Sequence, residues 1–205
     1  MEKPDKRASI LASAENLFSE LGYEGTSTRQ IAKEAGANMS MISYYFGSKE
    51  GVFLEIMNKR ISDFTSQLLS INEYRITPMQ KMFKVIENYS KRVLSNISFH
   101  KMMHREMSLA QRPEMYCKLK DALTENLNVL EKIIDEGIED HSFRPVDKRM
   151  LIATILGTVT SVATTPKVTE GTGLDITVPE DREILSKRLI THLEDLVSTY
   201  LTPQK

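Results

Sequence analysis

Gly22-Tyr-Glu-Gly-Thr-Ser-Thr-Arg-Gln-Ile-Ala-Lys-Glu-Ala-Gly-Ala-Asn-Met-Ser-Met-Ile-Ser-Tyr-Tyr-Phe-Gly-Ser-Lys-Glu50 carries the punctuation that decides the fold. Ser27 followed three residues later by Gln30 is a capping box, which starts a helix by satisfying its free N–H groups from both ends of the first turn. That helix carries Ile31, Ala32 and Ala35 on one small apolar face. Gly36 supplies the positive φ of a tight exit, and Asn38 is the N-cap of a second helix that buries Ile42 and Phe46 before Gly47 ends it. Two short helices around a glycine-containing turn form a helix-turn-helix.

Helices below ~12–15 residues are marginal alone, so a brace is required. Residues 6 to 21 supply it, with Ile10, Leu11, Ala14, Leu17, Phe18 and Leu21 as one stripe and Gly22 at its end. Residues 1–48 thus read as a three-helix unit that needs the following helix for stability. The remainder reads as helical throughout, giving an all-α chain of about nine helices. Ser48 caps a long helix with Phe53, Ile56, Met57, Ile61, Phe64 and Leu68 on its inner side; Asn72 and Pro78 bracket a break. Met82, Phe83, Ile86, Tyr89, Val93 and Leu94 line the next helix, and a shorter one runs from about Ser98 to Leu109. Pro113 opens a long helix to about Gly137 with Leu119, Leu123, Leu127, Leu130 and Ile134 as its stripe. Residues 164–179, with two Gly, two Pro and five Thr, read as a loop. It serves either as a mobile surface connection or as a ligand gate or dimer arm.

The first quarter of the chain resembles the TetR family of transcriptional repressors. The resemblance rests on Ile10-Leu11-Ala12-Ser13-Ala14, Leu17-Phe18, Gly22-Tyr23, Thr26-Ser27, Arg29, Ile31-Ala32, Ala35-Gly36 and Tyr44-Tyr45-Phe46-Gly47-Ser48-Lys49-Glu50. It implies a helix-turn-helix DNA-binding domain (1–48) followed by a helical effector-binding and dimerisation domain (49–205). It also implies a homodimeric repressor that releases a palindromic double-stranded operator when a small-molecule effector binds. Position 43, often aromatic in the family, is Ser43 here, preceded by Met39, Ser40 and Met41. This reading helix therefore offers apolar and hydroxyl contacts rather than bidentate ones, and relatives do not indicate its operator.

Composition sets bounds on these expectations. The 205 residues are 40% hydrophobic and 27% charged with a net charge of −1, an ordinary globular balance with no global polycationic pull on nucleic acid. DNA binding then needs a local patch, and Arg29, Lys33 and Lys49 supply one against Glu34. No signal-length or membrane-length apolar run occurs, and the single Cys117 fits a reducing cytoplasm, where a buried inert thiol is expected.

The candidate DNA contacts are Thr26, Ser27 and Thr28 at a helix N-terminus, where free N–H groups attract phosphate, and Arg29, suited to a phosphate or a guanine edge. Asn38, Met39, Ser40, Met41 and Ser43 would face the major groove, with thymine methyls as partners for the methionines. Of the adjacent Tyr44 and Tyr45, one is expected against the core and the other on the DNA backbone; Lys49 resembles the family lysine that neutralises a phosphate.

Further on, the helix from Arg149 to Val162 is apolar over most of its circumference, and Ala153, Gly157 and Ser161 repeat every four residues. The last helix, about Glu180 to Leu201, presents Leu189, Leu193, Leu196 and Tyr200. These helices either complete a monomer core or pair with their copies across a two-fold axis, setting two recognition helices about one turn of DNA apart. Phe99, His100, Met103, His104, Met107 and Tyr116 are candidate walls of an effector pocket, methionine making such walls adaptable. His100 and His104, four apart, could share a face and ligate a metal, but no third ligand is fixed and no compact Cys/His cluster exists. No metal or cofactor is therefore expected. With no phosphate loop, nucleophile elbow or HExxH, an enzyme is the least supported reading. An effector-free architectural DNA-binding protein is the nearer alternative.

Overall fold

The structure, a computed structural model, describes residues 5–108 and 113–203, without the side chains of residues 107, 108, 113, 115, 116, 166 and 168. The described residues are all-α: α1 (Lys6–Gly25), α2 (Thr28–Glu34), α3 (Met39–Phe46), α4 (Lys49–Glu73), α5 (Pro78–Ser95), α6 (Ile97–Ser108), α7 (Pro113–Glu139), α8 (Lys148–Thr164), α9 (Pro166–Thr169) and α10 (Pro179–Leu201). The stretch 164–179 holds the four-residue turn α9 and then bends in which Gly171 and Gly173 take φ of 78° and 73°.

The helices gather into two compact units. The first draws on Met1–Asp63 and Ser98–Leu123, the second on Phe64–Ile97 and Thr124–Lys205. The first unit shows why three short helices do not suffice. Their apolar faces (Ile10, Ala14, Phe18, Ile31, Ala32, Ile42) are closed over by Val52, Phe53 and Met57 of α4, by Phe99 and Met102 of α6, and by Leu119 of α7. At Gly22, φ 75° and ψ 172° interrupt α1, which resumes for one turn. That kink turns Tyr23 inward, where it stacks on Phe18 at 5.6 Å and meets the Phe53 ring edge-on at 5.1 Å. Arg7 pairs with Glu55 and Arg60 with Glu15, tying α1 to α4 twice.

In the second unit α8 and α10 both pack on α5. A second capping box, Thr77 with Gln80, starts α5 with Pro78 in its first turn. The buried Lys81 ammonium donates to Asn72 O at 2.8 Å and to both Glu136 oxygens at 2.6 and 2.9 Å, so its charge is compensated. Gly137 makes room for a ring: a Cβ there would lie 2.1 Å from Cδ2 of the buried Phe143. On α8, Leu151, Ile152, Ile155, Val159 and Ala163 are buried while Met150, Ala153, Gly157 and Ser161 face outward, so the protomer covers only part of its circumference. On α10, Leu189 and Leu193 are not available to a partner. At 5% and 0% exposure they belong to the protomer's own core, because they lie on the side that packs on α5. Leu196 is half-buried and Tyr200 exposed.

Candidate nucleic-acid interface

Local side-chain bonds build this site within the first unit. The N–H of Ser27 donates to Gln30 Oε1 at 2.8 Å and the N–H of Gln30 to Ser27 Oγ at 3.2 Å, the reciprocal pair that starts α2. Gly36 then takes φ 58°, and the Lys6 ammonium donates to its carbonyl at 3.0 Å, fastening the turn to α1. Asn38 Oδ1 accepts from the N–H of Met41 at 2.9 Å and from Ser40 Oγ at 2.5 Å, which starts α3. Gly47, at φ 74°, ends it.

With Ile31, Ala32 and Ala35 of α2 and Ile42 of α3 spent on the core, the remaining side chains stand outward. Tyr44 is 83% exposed and Met39 51%; Ser27, Arg29, Asn38, Ser40 and Ser43 are exposed, Thr28 and Met41 half-buried. Arg29 and Lys33 are both exposed on α2. The surface thus joins exposed cations, hydroxyls, an aromatic and two thioethers on adjacent short helices. That set suits phosphate contacts at the edge and base-edge contacts at the centre.

Four expectations for this region change. Thr26 is 1% exposed, and its hydroxyl donates to the carbonyls of Leu17 at 3.1 Å and Gly22 at 2.8 Å, so it clamps the end of α1 instead of facing a phosphate. Neither tyrosine of the pair enters the core. Tyr45 is 39% exposed and meets Tyr44 edge-on at 5.1 Å, while Phe46 takes the half-buried place beneath the Arg7 guanidinium. Lys49 turns inward, donating to the carbonyls of Tyr23 at 2.9 Å and Thr26 at 3.0 Å. Burial lowers the affinity of its ammonium for a proton, an effect partly offset by the nearby Glu106 carboxylate. Cys117 is exposed, not buried, because α7 turns Leu119 instead into the core.

The candidate effector residues also separate. Phe99 and His100 are buried in the first unit, ring edge to ring face at 5.7 Å, with the Arg60 guanidinium over Phe99. His104 is exposed and Met103 half-buried, so the histidine pair does not share an environment. The side chains of Met107 and Tyr116 lie outside the described residues. A surface groove of about 700 Å³ between α5 and α10 is lined by Lys91, Leu94, Arg182, Ser186 and Ile190 among others, and by none of the candidate effector residues.

Sequence reasoning missed Gly51, Lys6 and Glu106. A Cβ at Gly51 would lie 1.9 Å from the carbonyl oxygen of Phe46, so only glycine lets α3 meet α4 so closely. A glycine two residues into a strongly signalled helix was the available clue. Lys6 and Glu106 had none, since their partners are distant in sequence. Burial raises the Glu106 pKa, and the charges of Arg105 and Lys49 act against that.

Comparison with known proteins agrees with this geometry. Residues 10–56 match the family model described as bacterial regulatory proteins, tetR family, and residues 75–164 match that of the tetracyclin repressor-like C-terminal domain. The fatty acid metabolism regulator protein of Bacillus subtilis is 24% identical over 165 residues, which are 80% of this chain and 84% of that protein. The transcriptional regulator RutR of Escherichia coli is 32% identical over 68 residues, 33% of this chain and 32% of that one. Among solved structures, FadR from Bacillus subtilis in complex with stearoyl-CoA superposes with a TM-score of 0.73 at 23% identity, covering 91% of this chain and 96% of that chain. The fatty acid degradation regulator FadR from Bacillus halodurans gives a TM-score of 0.75 at 24% identity, covering 95% and 97%. At these identities the superpositions show a common fold.

Proposed function

Since the chain belongs to the TetR family and is a transcriptional regulator, we propose that it is a homodimeric repressor that holds a palindromic operator and releases it when an effector binds. Residues 1–48 are the part that grips DNA, and 49–205 bind the effector and form the dimer. The observation that carries the reading is the outward set on α2 and α3: Arg29, Met39, Ser40, Ser43 and Tyr44, held by two side-chain-capped helix starts. Thr28 and Tyr45 support the grip at its edges.

Gly157 supports the dimer. A glycine inside a helix costs roughly 0.5–1 kcal/mol relative to alanine. Here a Cβ would meet nothing within 4 Å, so packing within the protomer does not account for it. A copy's backbone approaching the exposed stripe Met150, Ala153, Gly157 and Ser161 does account for it, with Leu196 and Tyr200 of α10 contributing at the edge of an isologous contact. The effector class follows the Bacillus subtilis relative solved with stearoyl-CoA: a long-chain acyl thioester. Binding it would favour a state in which the two recognition helices no longer match half-sites one turn apart.

A gel shift with the intergenic DNA upstream of the chain's own coding sequence tests the reading. A retarded band at low salt that stearoyl-CoA, but not free coenzyme A, abolishes is the expected result. No band at low salt would remove the DNA-binding reading, and a band indifferent to acyl thioesters would remove the effector class alone.

A further inference from the structure

We propose that Asn38 reads guanine rather than adenine in the major groove, and that Ser40 is the positioning residue that keeps its amide a pure donor. The inference rests on the reading of α2 and α3 as the surface that grips DNA, and it names one base of the operator. Hydrogen-bond bookkeeping carries it. Asn38 Oδ1 accepts the N–H of Met41 at 2.9 Å and the hydroxyl of Ser40 at 2.5 Å. An amide carbonyl has two lone pairs, and both are taken. The first of these bonds also fixes which end of the amide is oxygen, because a backbone N–H can face only an acceptor. What the exposed Asn38 has left is Nδ2 with its two N–H donors, neither of which has a partner among the described residues.

Asparagine ordinarily recognises adenine with both ends of its amide, the carbonyl accepting from N6 and the nitrogen donating to N7. Here the carbonyl is closed, so an adenine N6–H would point at an oxygen with no lone pair to give. Guanine presents two acceptors side by side, N7 and O6, and asks for donors alone. Thymine offers O4 beside a bulky methyl, and cytosine offers a donor. Of the four bases, guanine is the one that takes up both N–H groups of Nδ2. The side chains that usually meet guanine, arginine and lysine, are missing from α3, which is uncharged from Met39 to Phe46. The exposed cations Arg29 and Lys33 stand on α2 instead. Ser40 sets this preference without touching the base. Its single proton goes to Oδ1, so removing the hydroxyl opens a lone pair there and returns the amide to its ordinary donor-and-acceptor state.

The test is selection of duplexes from a random pool by the full chain, followed by competition between duplexes that differ at one base pair. A ratio of affinities cancels any general loss of grip in a variant. The wild type is expected to hold guanine over adenine at one position of each half-site by roughly five- to hundredfold, the worth of one two-bond contact. Asn38→Asp keeps the helix cap, since aspartate caps as well as asparagine, but has no N–H to donate. It should lose the guanine at that position and at no other. Ser40→Ala should move the same position from guanine toward adenine by roughly fivefold or more, and it carries the test if Asn38→Asp does not fold. Ser40→Thr, which keeps the hydroxyl, should retain the guanine. Wild-type preference for adenine at the position that Asn38→Asp alters overturns the proposal, as does a selected sequence that neither variant changes. A Ser40→Ala protein that keeps its guanine overturns the role given to Ser40. If the wild type retains no duplex, the DNA-binding reading falls and this inference with it, whereas a retained duplex without that guanine sinks this inference alone.

Discussion

The α2–α3 pair and the α5–α8–α10 group are both helical, yet they are held by different means. The short pair, at seven and eight residues, depends on bonds that close within a few positions: Ser27 with Gln30, Asn38 with Met41, and glycines at positive φ after each helix. Of the long helices, at 17 to 23 residues, α5 and α8 have side-chain caps too and α10 has none, but what holds them is burial of one face each: Val85, Ile86 and Val93 of α5, Ile155 and Val159 of α8, Leu193 and Val197 of α10. The difference bears on function. Where local bonds fix the frame, whatever is left over stands out as a candidate contact. Where long-range packing fixes it, a leucine turned to the core and a leucine turned to a partner look alike until neighbours are known.

Gly51→Ala should break the first region most severely, since its Cβ would meet backbone at 1.9 Å. A loss of about 1–3 kcal/mol or more in stability is expected, together with loss of DNA retention in a gel shift. Its counterpart, Gly137→Ala, drives a Cβ into the buried Phe143 ring. Hydrogen exchange should show loosening around α7 and α10 there, and around α2 and α3 in Gly51→Ala; the same pattern in both would erase the contrast. Gly157→Leu comes next. It should leave helicity and the protomer's fold intact but convert the proposed dimer to monomer in sedimentation, with weaker operator retention following. Tyr44→Ala should cost about tenfold in affinity for any duplex, the scale of one hydrogen bond to a charged group, at an unchanged melting temperature. Met39→Ala should cost less and change which sequences a random-pool selection returns.

The smallest effect concerns Glu106, whose pKa burial raises in the folded unit. A carboxyl with a raised folded value binds more protons in the native than in the unfolded state, so stability falls as pH rises through the interval between the two values. Glu106→Gln cannot ionise. It should therefore denature at slightly higher denaturant than the wild type near pH 7, with the gap closing toward about pH 4, where carboxyls take up protons. A gap that widens on acidification would show that burial is not what perturbs this group.

The sequence made the first region legible in detail. Ser27, Gln30, Gly36, Asn38 and Gly47 all take the positions their chemistry requires, because caps and turns act over three or four residues. Legibility ended where a side chain's fate depends on a distant carbonyl or ring. The inward bonds of Lys49 and Thr26 were not legible because their partners, Tyr23, Leu17 and Gly22, are placed by the kink in α1. On α10 the spacing of Leu189, Leu193, Leu196 and Tyr200 was visible, but which of them α5 would cover was not. Phe99 was recognised as apolar and assigned to a pocket wall, because nothing in α6 alone announces that it packs against α1 and α4 side chains.

The exposure of Cys117 has a practical side. The sequence contains a single cysteine, and its thiol lies at the surface of α7 within the first unit. A maleimide dye would therefore attach at one known place without mutagenesis, and its fluorescence anisotropy would follow this unit directly as duplex or acyl thioester is added.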